Sequence, residues 1–160
     1  MAVLKSEDTD CRSSLEIAPA GSVQDAKDGS RWQPIRLSLV SGGRCLEIGG
    51  ENGKNTCLVL RSPRDEIARL LGLLDELANG RRHRILFEPQ EPSFELLVES
   101  TPEGGFKVEA WIDAGNATTG FYSWDAAGIR FYTLAEHLAS FFKQLQLEFP
   151  TSRHQQQRKR

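Results

Sequence analysis

The sequence has few of the residues that usually carry chemistry, and it has no long apolar run. It contains three cysteines and three histidines in 160 residues. An odd number of cysteines fits poorly with a disulfide framework, so we expect reduced thiols. No segment approaches the length of a membrane span, and the first residues lack the continuous apolar stretch of a secretory signal. These absences predict a cytoplasmic protein without a membrane partner.

Sequence signatures of catalysis and of cofactor binding are also missing. No histidine has a second ligand at zinc spacing, and no serine stands in a G-x-S-x-G turn. The pairs Gly42-Gly43, Gly49-Gly50 and Gly104-Gly105 fall at predicted hairpin turns, whereas a phosphate loop precedes a helix. We therefore expect no catalytic residue, no metal and no cofactor. An enzyme that uses carboxylates of the predicted hairpin from Phe94 to Asp113, here called the central hairpin, is the least favoured function.

Charge is unevenly distributed along the chain. The formal net charge is −2, residues 1–30 hold six acidic and three basic side chains, and residues 150–160 hold four basic ones. A mildly acidic body with a short basic tail argues against a nucleic-acid-binding surface on the folded part. A short basic run, residues 81–84, follows the first predicted helix and is interpreted as solvated charge, because no aromatic residues are interleaved with it.

Composition divides the chain into three parts. Residues 1–31 are rich in Ser, Asp, Gly and Ala without a sustained period, which predicts a disordered leader. Residues 32–149 carry regular apolar patterns and form a single predicted domain. Residues 150–160 are polar and predict a disordered basic tail.

Two helices are predicted among short strands. Ser62 and Pro63 begin the first helix, which ends at Asn79-Gly80, and its leucine stripe is predicted core. Thr133 and Glu136 form a capping box for the second helix, which ends before Pro150. The remaining periodic segments are strands joined by short turns. The fold class is therefore α+β, with a mainly antiparallel sheet of six to eight strands and two helices packed on one face.

One predicted hairpin bears on the cysteines. Asn52-Gly53 lies between apolar runs and predicts a two-residue turn, which would place Cys45 opposite Leu60. Cys45 and Cys57 are then not partners, and buried free thiols are favoured. Pairing the two cysteines would need a longer loop.

The most informative segment is the hairpin from Phe94 to Asp113. Apolar residues alternate with polar ones on both sides of a turn at residues 101–105, which is typical of half-buried strands. If the even-numbered side chains face the core, the residues that point outward include Glu95, Leu97, Glu99, Lys107, Glu109, Trp111 and Asp113.

Two interpretations of this outward face remain open. It is either a solvated sheet surface, with Trp111 covered by another part of the chain, or a recognition patch with an aromatic anchor inside an acidic rim. The second interpretation predicts a basic protein partner and makes six residues candidate contacts, namely Glu95, Leu97, Glu99, Glu109, Trp111 and Asp113.

Several segments resemble the WapI-type immunity proteins of bacteria. They are LLGLLDELANG, ILFEPQEPSFELLVES, FKVEAWID, IRFYT and LAEHLASFFKQL, and the match is carried by Phe87, Glu88, Pro89, Ser93, Phe94, Glu95 and Leu96. The resemblance covers roughly residues 33–149. It implies a small cytoplasmic protein that neutralises a cognate toxin domain, such as a basic nuclease, by stoichiometric binding. It supplies no catalytic residues. The competing interpretation is a structural or regulatory module that forms a homodimer through the same face.

Overall fold

A computed structural model describes residues 1–10, 12–48, 58–91, 93–113 and 126–150. The described residues form ten strands and two helices, and each of two antiparallel sheets is followed by one helix. The first sheet contains β1 (Ala2–Lys5), β2 (Ser14–Pro19), β3 (Gln24–Asp25), β4 (Arg31–Ser41), β5 (Arg44–Ile48) and β6 (Val59–Arg61). Then follow α1 (Pro63–Ala78), β7 (Arg84–Phe87), β8 (Phe94–Ser100), β9 (Phe106–Asp113), β10 (Ala126–Thr133) and α2 (Ala135–Glu148).

The α+β class and the antiparallel pairing are confirmed, but the strands divide between two sheets. The first sheet is organised around the long strand β4, which pairs with β2, β3, β5 and β6 along different parts of its length. The second sheet is a meander in the order β10-β9-β8-β7. Alternation along single strands predicts their faces, whereas the division into sheets depends on long-range pairing that no local pattern encodes.

The prediction of a disordered leader was wrong for residues 2–5 and 14–19. Leu4 pairs with Leu15, and Leu15 in turn pairs with Leu39 of β4, so all three lie in the core. The backbone N–H of Val3 also donates to Gln144 Oε1 on α2 at 2.7 Å. Strands this short carry little periodic signal, and their order comes from burial against β4 and α2.

The predicted central hairpin is confirmed. β8 and β9 pair from Phe94 opposite Ile112 to Ser100 opposite Phe106. The described backbone of the turn is closed by Thr101 N–H donating to Gly105 O at 2.9 Å. The inward residues are all buried, namely Phe94, Leu96, Val98, Phe106, Val108, Ala110 and Ile112.

Both helices form where they are predicted, although their caps differ. α1 buries Ile67, Leu70, Leu74 and Leu77, while the side chain of Ser62 makes no capping hydrogen bond. The predicted Thr133 cap of α2 is wrong, since Leu134 is the cap residue and Thr133 Oγ1 instead donates to the carbonyl oxygen of Lys5. α1 packs on β7 and α2 packs on β1, so each helix contacts the first strand of the opposite sheet, and the two helices also contact each other.

The predictions for the cysteines, for the Asn52-Gly53 turn and for the tail fall only partly within the described residues. Cys45 is a free, exposed thiol opposite Val40 of β4, so the prediction that it is buried was wrong. The Asn52-Gly53 turn, Cys57 and residues 151–160 of the predicted basic tail lie outside the described residues. None of the helices in the described ranges is both long and apolar enough to cross a membrane.

Candidate protein-binding surface

The second sheet has one face in the core and an opposite face, here called the outer face, that carries all six predicted contact residues. Strand pairing places Glu95 beside Trp111, Leu97 beside Glu109, and Glu99 beside Lys107. The flanking strands complete the outer face with Arg84, Leu86, Ala126, Gly128, Arg130 and Tyr132. The structure therefore brings the predicted residues together on one surface.

Glu109 is the centre of an ion-pair ladder across this face. Its Oε1 lies 3.0 Å from Arg130 Nε and 3.1 Å from Lys107 Nζ. Lys107 Nζ also lies 3.6 Å from Glu99 Oε2. The hydrogen bonds from Arg130 and then from Lys107 lower the pKa of Glu109, and the bond to Glu109 raises the pKa of Lys107. Both groups are therefore held in their charged forms.

The predicted acidic rim is offset by basic side chains on the same face. Its four carboxylates, Glu95, Glu99, Glu109 and Asp113, share the face with Lys107. Two further cations come from the flanking strands, because Arg84 lies opposite Glu99 and Arg130 lies opposite Glu109. The sequence of the hairpin from Phe94 to Asp113 does not indicate these two cations, because strand pairing alone places them beside it. The outer face is close to charge balance.

Trp111 is positioned by a glycine on the neighbouring strand. A Cβ built on Gly128 would lie 2.3 Å from Trp111 Cε3 and 2.6 Å from Trp111 Cδ2. The indole therefore rests against the bare backbone of β10, an arrangement in which an aromatic ring covers a strand glycine. Trp111 remains half-buried on the outer face.

The apolar side chains that are accessible on this face differ from those predicted. Leu97 is only 8% exposed, so it offers little surface to a partner. Leu86 and Tyr132 are 48% and 52% exposed. Both lie on flanking strands, in rows next to Leu97 and Lys107 respectively. Alternation along β7 and β10 predicts that both side chains point outward. Their position next to the predicted patch follows only from the order of the strands in the sheet.

A cleft of about 400 Å³ lies where the outer face meets the β8–β9 turn. Its apolar lining comes from Phe106, Tyr132 and Leu134, and its charged lining from Glu7 and Glu103. Glu7 reaches the cleft because its backbone N–H donates to Tyr132 O at 2.8 Å. The sequence does not indicate this cleft, because Glu7 belongs to residues 1–31, which lack a sustained apolar period.

The described residues do not assemble a metal site. Across the described ranges, no group of three or more His, Cys, Asp or Glu side chains could hold a metal ion. A second cleft, of about 430 Å³, lies between the start of α1 and the end of α2. Within the described parts of the chain, neither cleft is lined by a histidine, by Glu95 or by Glu109.

The arrangement defines an α+β protein with a mixed apolar and charged sheet face. No family model matches the chain, and no curated protein matches it. Among solved structures, the crystal structure of WHY1 from Arabidopsis thaliana is similar with a TM-score of 0.47 and 12% sequence identity. That match covers 97% of this chain and 85% of the WHY1 chain. A likeness this low carries no functional conclusion.

Proposed function

We propose that this chain is a cytoplasmic, non-enzymatic immunity-type protein that neutralises a cognate toxin domain by stoichiometric binding through the outer face. The observation that carries the proposal is the exposure of Leu86 and Tyr132 on the two edge strands of a sheet whose outer face also carries Trp111 and whose opposite face is core. A sheet fixed by a packed core presents such side chains at little cost in conformational entropy. Large exposed apolar side chains on a rigid surface can act as anchors for a protein partner.

The resemblance to WapI-type immunity proteins supports this proposal through the scaffold. Its matching motif begins at the end of β7, where the Arg69 guanidinium lies 4.6 Å from the centre of the Phe87 ring. Arg69 also donates to the carbonyl oxygen of Glu88, and Glu66 Oε1 accepts the backbone N–H of Gln90. Both polar side chains belong to α1. These contacts attach Glu88 and Gln90, which follow β7, to α1, and β7 is an edge strand of the sheet that carries the outer face.

Inhibition would follow from occlusion, with no chemical step. A toxin seated on the outer face would have to match the alternating charges of the ladder as well as the apolar positions. Charge patterns of this kind favour one partner over others, because a wrong partner would leave desolvated charges unpaired. A basic nuclease domain is a suitable class of partner. Because the outer face is close to charge balance, selectivity among toxins would depend on the arrangement of its charges and not on net charge.

The test is a titration of purified protein with the toxin domain encoded beside its gene. We expect the double substitution L86A/Y132A to weaken binding about tenfold or more, because exposed apolar anchors are removed while the core is untouched. Leu147→Ala, an exposed leucine on α2, is the matched control and should leave affinity unchanged. Equal affinities for the double variant and the control would remove the outer face from the binding site.

The same variants separate the immunity function from the homodimer alternative. A homodimer through the outer face would sediment as a dimer in the absence of toxin, and L86A/Y132A would convert it to a monomer. For an immunity protein, we expect the outer-face substitutions to act on toxin binding instead. Sedimentation velocity over a hundredfold range of protein concentration distinguishes the two.

A further inference from the structure

We propose that the cleft at the β8–β9 turn binds the cationic side chain of a lysine or arginine from a protein partner. The inference rests on the proposed function only in naming a protein as the carrier of that side chain. The cleft adjoins the outer face through Tyr132, which lies opposite Lys107 in the sheet. A partner seated on the outer face could therefore extend a side chain into it.

The walls of the cleft suit the aliphatic part of such a side chain. Tyr132 and Leu134 are 52% and 39% exposed, and both line the cleft together with buried Phe106. Lysine and arginine bury their methylene stems against apolar surfaces of this kind while their charged ends remain near polar groups. The Tyr132 ring additionally offers a face that can attract a cation.

The carboxylates of the cleft supply the charge complementarity. In the described part of the chain, neither Glu7 nor Glu103 forms an ion pair with a basic side chain. Glu99 and Glu109 on the adjacent face differ, since Lys107 pairs with both. Glu7 and Glu103 therefore place unneutralised negative charge at the cleft. An anion would be repelled there, and a neutral apolar group would desolvate the carboxylates without compensation.

The cleft is shaped by ordered backbone on two sides. At the turn, Gly104 N–H donates to Thr101 O at 3.1 Å, and Gly105 N–H donates to Thr101 Oγ1 at 3.3 Å. On the opposite side, Glu7 is joined to Tyr132 through its backbone. A site organised before binding loses less entropy when a side chain enters it.

The experiment uses three small probes and the full-length protein. N-acetyl-arginine amide and N-acetyl-lysine amide carry the proposed cations, and N-acetyl-citrulline amide is a neutral analogue of the arginine probe. Binding is followed by ¹⁵N–¹H NMR through the amide signals of Gly104 and Gly105. We expect saturable shifts with both cationic probes, with dissociation constants on the order of millimolar, and at least about fivefold weaker binding of the citrulline probe.

Variants connect the shifts to the two carboxylates. E7Q/E103Q should weaken binding of the cationic probes about fivefold, because two exposed charge interactions are lost. Glu88→Gln is the control, since Glu88 is exposed and follows β7 at the opposite end of the sheet. Equal binding of the citrulline probe, or unchanged binding to E7Q/E103Q, would overturn the proposal. Concentration-dependent shifts without any probe would assign the cleft to a second copy of the chain and would overturn it too.

The results for the cleft and for the proposed function are separable. If cationic probes fail to bind while L86A/Y132A still weakens toxin binding, the inference about the cleft fails and the proposed function stands. If the probes bind as expected but L86A/Y132A leaves toxin binding unchanged, the inference about the cleft stands and the proposed function fails.

Discussion

The indole of Trp111 occupies the space that a side chain on Gly128 would need. The two residues lie opposite each other in neighbouring strands, and a Cβ on Gly128 would come within 2.6 Å of the carbonyl oxygen of Ala110 as well as against the indole. Among the described residues, Trp111 is the only tryptophan on the outer face, and this contact fixes its position. A substitution at Gly128 therefore tests the packing of Trp111.

Gly128→Ala should therefore destabilise the protein. The added methyl group meets backbone on one side and a packed ring on the other, so the unfolding free energy should fall by about 1–3 kcal/mol. Urea denaturation measures this change. Gly72→Ala is the matched control, because a Cβ at Gly72 in α1 meets nothing within 4 Å and should raise stability by about 0.5–1 kcal/mol. Equal effects of the two substitutions would show that Trp111 moves aside freely.

Leu4→Ala tests whether the first residues belong to the fold. Leu4 on β1 is fully buried in the core and pairs with Leu15 of β2, so its truncation should cost about 2–5 kcal/mol of unfolding free energy. Val23→Ala lies in the same part of the sequence but at an exposed position, and should change stability by less than about 0.5 kcal/mol. A disordered leader would instead give two small effects in urea denaturation.

Glu66→Gln should change how stability depends on pH. Glu66 is buried on α1, and burial raises the pKa of its carboxyl, although the Gln90 backbone N–H and Arg69 oppose that shift. A raised pKa means that the folded state favours the protonated acid. Its stabilising contribution is present below the ordinary carboxyl pKa and is lost as pH rises through the raised value.

The glutamine variant lacks this titration, and its amide can occupy the position of Glu66 Oε2, which has no hydrogen-bond partner. The stability of E66Q relative to the native protein should therefore increase as pH rises from acidic to neutral. Urea denaturation of both proteins over that range measures the difference. Asp65→Asn, an exposed neighbour on α1, controls for removal of a carboxylate from the same helix turn. A difference that does not vary with pH would contradict the role assigned to Glu66.

Glu109→Gln should show the opposite sign. Arg130 and Lys107 lower the pKa of Glu109, so its contribution to stability is present above the ordinary carboxyl pKa and is lost as pH falls through the lowered value. The variant should be less stable than the native protein at neutral pH, and the difference should shrink in acid and in high salt. Glu103→Gln removes a carboxylate without an ion pair in the described chain and serves as the control.

Local patterns predicted the parts of this protein whose order is set by near neighbours in sequence. The hairpin from Phe94 to Asp113 was correct in both faces and in its turn, because alternation and a Pro/Gly turn act within a few residues. The leucine stripe of α1 was correct for the same reason. The binding role of the outer face stays a prediction.

The missed features depend on partners distant in sequence. Arg130 neutralises Glu109 only because β10 lies beside β9, and Glu7 reaches the cleft only because residues 5–7 run beside the end of β10. Helical spacing places Leu134 in one apolar stripe with Leu138 and Phe141, yet Leu134 is exposed because α2 begins one residue after it. Sequence periods do not specify which strand becomes a neighbour.

The hydrogen bond from Val3 to Gln144 joins positions 141 residues apart. During synthesis the early strands leave the ribosome long before α2 exists, so the edge of β1 that contacts α2 stays uncovered until α2 has been made. Until then it is an open strand edge, available to other chains. The native contacts of β1 should consequently form only after α2 has been synthesised, and products that stop before α2 should be the species that aggregate in the cell.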